Sequence, residues 1–228
     1  MMCLMQKGMF QIAGAIALCS AATVSMFAQD SRVVIENDSV RVLKVPVNPH
    51  EKTKMHEHKA NRVMIYLQAG KQTIDYQDGK KVVLTFKPNQ ALWSPQSGMH
   101  IAEITSENPV TIVEIELKKP APAVKPQPSA MDPLKVDKKH YKVEFENDQV
   151  RVVRVKIGPH ETAPMHEHSL NRVVTYITDQ DFQVTSADGK VERVHHKAGE
   201  VSWGTPLKHK EENQSDQPFE VIVVELKS

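Results

Sequence analysis

From residue 31 onward, apolar and polar residues alternate along short segments, and no window shows the 3.6-residue repeat of an amphipathic helix. Residues 40–47 (VRVLKVPV), for example, are rich in β-branched side chains. Turn signals such as Asp78-Gly79 separate the segments. The pattern predicts strands over residues 40–47, 61–67, 73–76, 81–86, 91–93 and 110–117. Short strands with frequent turns indicate an all-β sandwich or barrel.

The second half of the chain repeats the first at an offset of 110 residues. Residues 36–63 and 146–173 share 17 identities in 28 aligned positions. Near the C-terminus the offset falls to 109, where residues 116–118 (ELK) align with residues 225–227, so the second copy has lost one residue. A repeat on this scale indicates a duplicated domain, with each copy forming one closed β-unit.

A proline-rich segment separates the two copies. Residues 118–133 contain five prolines and almost no large apolar side chain, which is typical of an extended, stiff linker. We therefore predict a first barrel over residues 31–118, a linker over residues 119–139 and a second barrel over residues 140–228. We expect the two barrels to pack against each other.

Residues 1–28 have the features of a secretory signal peptide. Lys7 precedes an apolar run over residues 9–18, and cleavage is expected after Ala28. The apolar run is short and interrupted for a membrane-spanning helix. These features predict an exported protein that is periplasmic or secreted.

Charge and cysteine content narrow the possible partners. Lys7 is the only charged residue of the leader, so the mature chain would carry 28 basic and 28 acidic residues. No basic stripe is present, and we expect neither nucleic acid nor a membrane surface as a partner. The only cysteines, Cys3 and Cys19, lie in the leader. Any metal ion in the mature protein would therefore be held by imidazole and oxygen.

Both copies contain the stretch Met-His-Glu-His, at residues 55–58 and 165–168. Residues i and i+2 of a strand point to the same face, so each stretch presents two imidazoles side by side. His100 is a candidate third ligand, and the offset of 109 places its partner at position 209, where a histidine stands. The candidate metal ligands are His56, His58 and His100 in the first copy and His166, His168 and His209 in the second. Such sets suit a divalent transition metal (iron, manganese, zinc, nickel or copper) and leave positions open for water or substrate.

Each copy resembles a cupin domain, and the chain resembles a two-domain cupin, or bicupin. The residues that match the two cupin motifs are His56, His58, Gly70, Pro95 and His100 in the first copy and His166, His168, Gly199, His209 and Asn213 in the second. The resemblance covers residues 34–118 and 144–227. It implies two tandem cupin barrels of jelly-roll type, also called double-stranded β-helices, whose inward histidines bind a divalent metal.

The chain departs from the cupin motifs at two kinds of position. The usual carboxylate ligand of the family would fall at Val63 and Val173. Its absence disfavours chemistry like that of oxalate decarboxylase. Motif glycines are replaced by His50 and His160 in the first motif and by Asn89 and Ser97 in the second. We expect the two histidines to lie at the barrel rim and to bond the backbone rather than a metal.

Arg62 and Arg172 follow the two-histidine strands and are candidate contacts for an anionic substrate. Pairing of Arg62 with a carboxylate such as Glu36 or Glu57 is the favoured alternative. Three functions remain open: a metal-dependent oxygenase acting on a small molecule, a non-catalytic module that binds a metal or small ligand, and a barrel pair with vestigial metal sites. No catalytic residue is assigned.

Overall fold

The structure, a computed structural model, describes residues 32–228, and the predicted signal peptide lies outside them. The first half contains β1 (Arg32–Glu36), β2 (Val40–Val47), β3 (His56–His58), β4 (Arg62–Tyr66), β5 (Gly70–Tyr76), β6 (Lys81–Phe86), β7 (Gln90–Ser94), β8 (Ser97–Ile104) and β9 (Val110–Leu117). The second half contains α1 (Pro133–Val136), β10 (Tyr141–Glu146), β11 (Val150–Ile157), β12 (Thr162–His168), β13 (Arg172–Tyr176), β14 (Gln180–Ser186), β15 (Val191–His196), β16 (Val201–Gly204), β17 (Leu207–Asn213) and β18 (Phe219–Leu226). Within this part of the chain, no helix is long and apolar enough to cross a membrane.

Each half folds into two antiparallel sheets with the same strand order. In the first half the orders are β1-β2-β9-β4-β7 and β3-β8-β5-β6, and in the second they are β10-β11-β18-β13-β16 and β12-β17-β14-β15. The predicted all-β class and its jelly-roll architecture are confirmed. The strands predicted over 40–47, 81–86 and 110–117 coincide with β2, β6 and β9.

Strand register brings the third histidine of each copy to the two-histidine strand. β3 pairs with β8 so that His56 lies opposite His100, and β12 pairs with β17 so that His166 lies opposite His209. Residues directly opposite in an antiparallel pair have close side chains, and those at i and i+2 share a face. The register therefore collects three imidazoles inside each barrel.

The five-stranded sheets of the two barrels share one hydrophobic core. Strand alternation divides each sheet between this shared core and the barrel's own interior. In β4, for example, Val63 and Ile65 point into the shared core while Met64 and Tyr66 point into the first barrel. Fully buried members of the shared core include Val40, Val42, Ile115, Val150, Val152, Ile222 and Val224.

Two equivalent hydrogen bonds connect the barrels. Nζ of Lys44 donates to the carbonyl oxygen of Gly199 at 2.9 Å. One repeat along, Nη2 of Arg154 donates to the carbonyl oxygen of Asn89 at 2.6 Å. Because each contact is the other shifted by 110 residues, the two barrels are related by an approximate two-fold axis.

The C-terminal part of the predicted linker packs on the second barrel instead of forming a free spacer. Asp132 caps α1 and, buried itself, accepts a hydrogen bond from Nη2 of Arg151 at 2.8 Å. The backbone N–H of Glu167 donates to the carbonyl oxygen of Met131 at 2.8 Å. This segment therefore lies beside β12, the strand that carries two candidate ligands.

Candidate metal centres

The structure brings the candidate ligands together in two triads, one in each barrel. His56, His58 and His100 form the first triad, and His166, His168 and His209 form the second. In each triad, one potential ligand atom from each residue lies within 4.8 Å of the others. The first triad is partly open, whereas all three histidines of the second are buried.

Backbone carbonyls fix the ring orientation of His56 and His100. Nδ1 of His56 donates to the carbonyl oxygen of Lys54 at 2.7 Å, and Nδ1 of His100 donates to that of Gly98 at 2.7 Å. When Nδ1 carries the hydrogen of a neutral imidazole, Nε2 keeps its lone pair. Both rings therefore present an acceptor nitrogen to the centre of the triad.

The second triad has the same arrangement, with a carboxylate in one of the supporting positions. Nδ1 of His166 donates to the carbonyl oxygen of Pro164 at 2.8 Å. Nδ1 of His168 lies 3.4 Å from a carboxylate oxygen of Glu225, which is itself held by Arg151. Supports of this kind orient metal-bound histidines and make them more basic.

Burial favours the neutral form of several of these rings by lowering their pKa. It lowers the pKa of His209 to about 4 and also lowers the pKa of His166. In the first triad, burial and the charge of Arg62 lower the pKa of His58 to about 3. Neutral imidazole is the form that binds a metal ion.

The second triad fits a transition metal. Its two Nε2 atoms on His166 and His168 are 3.2 Å apart. Nitrogens bound to one ion at about 2.1 Å lie roughly 3.0–3.4 Å apart at the usual coordination angles. Both ring nitrogens of His209 are buried and have no hydrogen-bond partner. A buried polar group without a partner is costly, and a metal ion at the centre of the triad would satisfy one of these two nitrogens.

The first triad is different because a guanidinium group lies against it. Nη1 of Arg62 is 2.7 Å from Nε2 of His58 and 2.6 Å from Oε1 of Glu114. Arg62 therefore pairs with a carboxylate, as expected, but the partner is Glu114 on β9, which faces the barrel interior, and not Glu36 or Glu57. In this arrangement the first triad does not fit a metal ion at His58.

In the second barrel, Arg172 makes a different contact. Its Nη1 donates to the carbonyl oxygen of Thr205 at 2.6 Å. Val63 and Val173, where the sequence placed the missing carboxylate, are fully buried in the core between the barrels. On β4 and β13, the residues beside the triads are therefore the arginines.

Two residues that were not singled out in the sequence complete the second site. The hydroxyl of Tyr141 lies 3.0 Å from Nε2 of His166 and 3.3 Å from Oε2 of Glu211. Glu211 follows His209 by two residues on β17, so strand alternation could have revealed it. Tyr141 reaches the triad from β10, a strand of the other sheet, and no local pattern indicated this contact.

Cavities adjoin both triads. In the second barrel a cavity of about 400 Å³ is lined by His168, His209, Arg172 and Glu211 together with apolar side chains. In the first barrel an open cavity of about 640 Å³ reaches His100 and Arg62. Both volumes are large enough for a small organic molecule.

Four of the five remaining histidines lie at a turn or on β15. His50 and His160 have φ angles of 59° and 56°, which suit the glycine that the motif normally has there. In the tandem pair on β15, His195 is exposed, whereas the ring of His196 stacks on Tyr176 at 3.8 Å. None of these four belongs to either triad.

Comparison with known proteins identifies the fold. No family model and no curated protein matches the chain. Among solved structures, AerE from Microcystis aeruginosa is 12% identical, with a TM-score of 0.61 over 90% of this chain and 100% of that one. A cupin 2 conserved barrel domain protein from Leptotrichia buccalis is 16% identical, with a TM-score of 0.52 over 86% and 88%. An oxalate decarboxylase variant from Bacillus subtilis is 13% identical, with a TM-score of 0.58 over 87% and 75%.

These similarities, together with the two barrels and their repeated strand order, show that the chain has the cupin fold in its two-barrel form. At this level of identity the similarity establishes the fold. The activity depends on the residues at the sites.

Proposed function

We propose that the second barrel binds a divalent transition metal ion through His166, His168 and His209 and acts with it on a small molecule, as a metal-dependent oxygenase. The observation that carries the proposal is the buried convergence of three imidazoles, with both ring nitrogens of His209 unpartnered, at the wall of the cavity in the second barrel. A solved relative, the oxalate decarboxylase of Bacillus subtilis, has Mn(II) centres. A redox-active ion held by three histidines would supply open coordination positions for substrate and dioxygen.

Tyr141 and Glu211 are the groups placed to move a proton at this site. The Tyr141 hydroxyl has one hydrogen and lies within reach of two acceptors, Nε2 of His166 and Oε2 of Glu211. Burial and the neighbouring carboxylate raise the pKa of Tyr141, so the phenol stays protonated. It can therefore relay a proton between Glu211 and a molecule bound beside the triad.

Arg172 favours an anionic substrate. Its side chain lines the cavity together with His168 and His209. Among the described residues, its guanidinium group donates a hydrogen bond to the carbonyl oxygen of Thr205. A guanidinium group binds carboxylates through paired hydrogen bonds. We therefore expect a small organic acid as the substrate.

A second candidate function is a metal-binding module without catalysis. The complete burial of the second triad favours it, because an enclosed ion exchanges slowly with solvent. The two functions differ in whether the bound ion is redox-active and whether oxygen is consumed.

The test uses residues 29–228, produced without a histidine tag and analysed for bound metals. We expect iron, manganese, nickel or copper, lost in His166→Ala and His209→Ala variants with unchanged circular dichroism, and oxygen consumption with a panel of small organic acids. Stoichiometric zinc without oxygen consumption would support the binding module instead. Protein whose melting temperature responds neither to these metals nor to EDTA would contradict both functions.

We also propose that the protein is exported. Support comes from the order of Lys7 and the apolar run in residues 1–28 and from the lack of cysteine in the mature chain. Amino-terminal sequencing of protein from a bacterial expression host should find Gln29 first, in the periplasmic fraction or the medium. A chain that keeps residues 1–28 and stays in the cytoplasm would contradict export.

A further inference from the structure

The guanidinium group of Arg62 is fixed at the first triad by three hydrogen bonds. Nη1 contacts His58 at 2.7 Å and Glu114 at 2.6 Å, and Nη2 donates to Oγ of Ser94 at 2.9 Å. The Arg62 side chain is only 7% exposed. The group is therefore held in place from two strands, β7 and β9.

Arg62 donates a hydrogen bond to Nε2 of His58, the nitrogen that would otherwise bind a metal ion. Nε2 of His58 accepts from the guanidinium and faces Nε2 of His56 at 3.1 Å. The Nδ1 hydrogen bond of His56 to Lys54 leaves the Nε2 of that ring as an acceptor too. Two acceptor nitrogens this close repel each other unless a cation or a hydrogen-bond donor lies beside them. The guanidinium group of Arg62 is both a cation and a donor. A divalent ion at His58 would have to displace Arg62 or share the pocket with its charge.

The second barrel lacks the groups that hold Arg62. Gly204 stands in place of Ser94, and Val223 stands in place of Glu114. A Cβ atom at Gly204 would lie 2.9 Å from Cζ of Arg172, so the guanidinium of Arg172 uses the space that a side chain would fill. Without a serine and a glutamate at these positions, the guanidinium group of Arg172 donates to the carbonyl oxygen of Thr205. Nε2 of His168 faces His166 and has no guanidinium contact.

We propose that Arg62, held by Ser94 and Glu114, takes the place of the metal ion in the first triad, so that the chain binds one metal ion, in the second barrel. The occupancy of the second barrel rests on the proposed function. The exclusion of metal from the first barrel rests on Arg62 alone and is tested separately.

The experiment measures metal per chain after incubation with cobalt(II) or zinc and removal of free metal, in protein spanning residues 29–228. Wild type should hold one ion, which is lost in His166→Ala and retained in His56→Ala. Arg62→Leu should hold two, and adding His56→Ala should return it to one. Arg62→Lys, which keeps a cation, is the matched control and should hold one. The visible absorption bands of bound cobalt(II) should double in intensity in Arg62→Leu.

Exchanging the residues that hold Arg62 between the two barrels gives an independent test. This test remains available if Arg62→Leu does not fold. Ser94→Gly with Glu114→Val gives the first barrel the residues of the second, and metal content should rise from one to two. Gly204→Ser with Val223→Glu makes the reverse exchange, and metal content should fall from one to zero.

Two ions in wild type, one of them lost in His56→Ala, would overturn the proposal and leave the proposed function intact. Folded Arg62→Leu that still holds one ion would also overturn it. No ion in wild type but one in Arg62→Leu would support the role of Arg62 and contradict the proposed function of the second barrel. The two proposals therefore fail in distinguishable ways.

Discussion

The hydroxyl of Tyr141 lies 3.0 Å from Nε2 of His166, the nitrogen that the second triad would offer to a metal ion. Both groups are buried, with Tyr141 3% exposed and His166 fully enclosed. Nδ1 of His166 already donates to the carbonyl oxygen of Pro164, so Nε2 is an acceptor to which the phenol can donate its single hydrogen. The phenol and a metal ion therefore compete for the same lone pair.

Tyr141→Phe should lower the free energy of unfolding of the metal-free protein by about 1–2 kcal/mol, because Nε2 of His166 loses its donor inside the barrel. The loss should shrink when the protein is saturated with zinc, since the ion then occupies that nitrogen. Urea denaturation with EDTA and with zinc measures both values. Tyr176→Phe is the matched control, because that hydroxyl bonds Oγ of Ser202 at 3.0 Å instead of a triad histidine. Equal losses for Tyr141→Phe with and without zinc would show that the hydroxyl does not lie at the metal position.

His209 should make the metal-free protein less stable than a leucine variant would be. Its two ring nitrogens are buried without partners, and leucine fills a similar volume without a polar group. We expect His209→Leu to raise the free energy of unfolding at pH 7 by about 1 kcal/mol. The same variant should no longer gain stability from added metal. A large loss of stability in His209→Leu would show that the imidazole has a partner within the barrel.

The same histidine should make stability depend on pH. Burial lowers the pKa of His209 from 6.5 to about 4, so the unfolded chain takes up a proton at higher pH than the folded chain does. Stability should therefore be greatest above pH 6.5 and fall as the pH decreases toward 4, by up to about 1.4 kcal/mol per pH unit from this group. Urea denaturation at pH 7, 6 and 5 should give a smaller slope for His209→Leu than for wild type. Identical slopes would contradict this assignment.

The sequence was sufficient for most strands of the first half and for the grouping of the histidines, although β1 and β8 were not among the predicted strands. Both depend on the local alternation of apolar and polar residues and on the internal repeat, which can be recognised in the sequence alone. The drop in offset from 110 to 109 aligned His209 with His100, and the register of β12 and β17 then makes His209 the partner of His166. His50 and Asn89 stand where the cupin motifs have glycine, and both have the positive φ that glycine adopts readily.

Contacts between distant strands could not be obtained in this way. The partner of Arg62 is Glu114, 52 residues along the chain, and their meeting depends on how the barrel closes. Sequence alignment alone showed Arg62 and Arg172 as equivalent residues. Their different contacts arise from Ser94 and Gly204, whose effect is apparent only once the guanidinium is seen to lie against that position.

Two histidines in the left-handed region should be replaceable by glycine with a gain in stability. His50 and His160 have φ near +60°, where a side chain costs about 1 kcal/mol relative to glycine. We expect His50→Gly and His160→Gly each to raise the free energy of unfolding by up to about 1 kcal/mol without changing metal content. Lys87→Gly, an exposed position without positive φ, is the control and should lower stability by about 0.5–1 kcal/mol. A loss of metal in either histidine variant would contradict a purely backbone role.

Ile115 tests whether the two barrels unfold as one unit. It is fully buried in the core to which both five-stranded sheets contribute. Ile115→Ala should lower the free energy of unfolding by about 2–5 kcal/mol, because it removes fully buried methyl and methylene groups from the shared core and leaves a cavity there. Since this core belongs to both barrels, calorimetry should show one transition in wild type and one, at lower temperature, in the variant. Val83→Ala, at a side chain that is 54% exposed on β6, should change stability by less than about 0.5 kcal/mol. Two resolved transitions, with only one shifted by Ile115→Ala, would show that the barrels unfold independently.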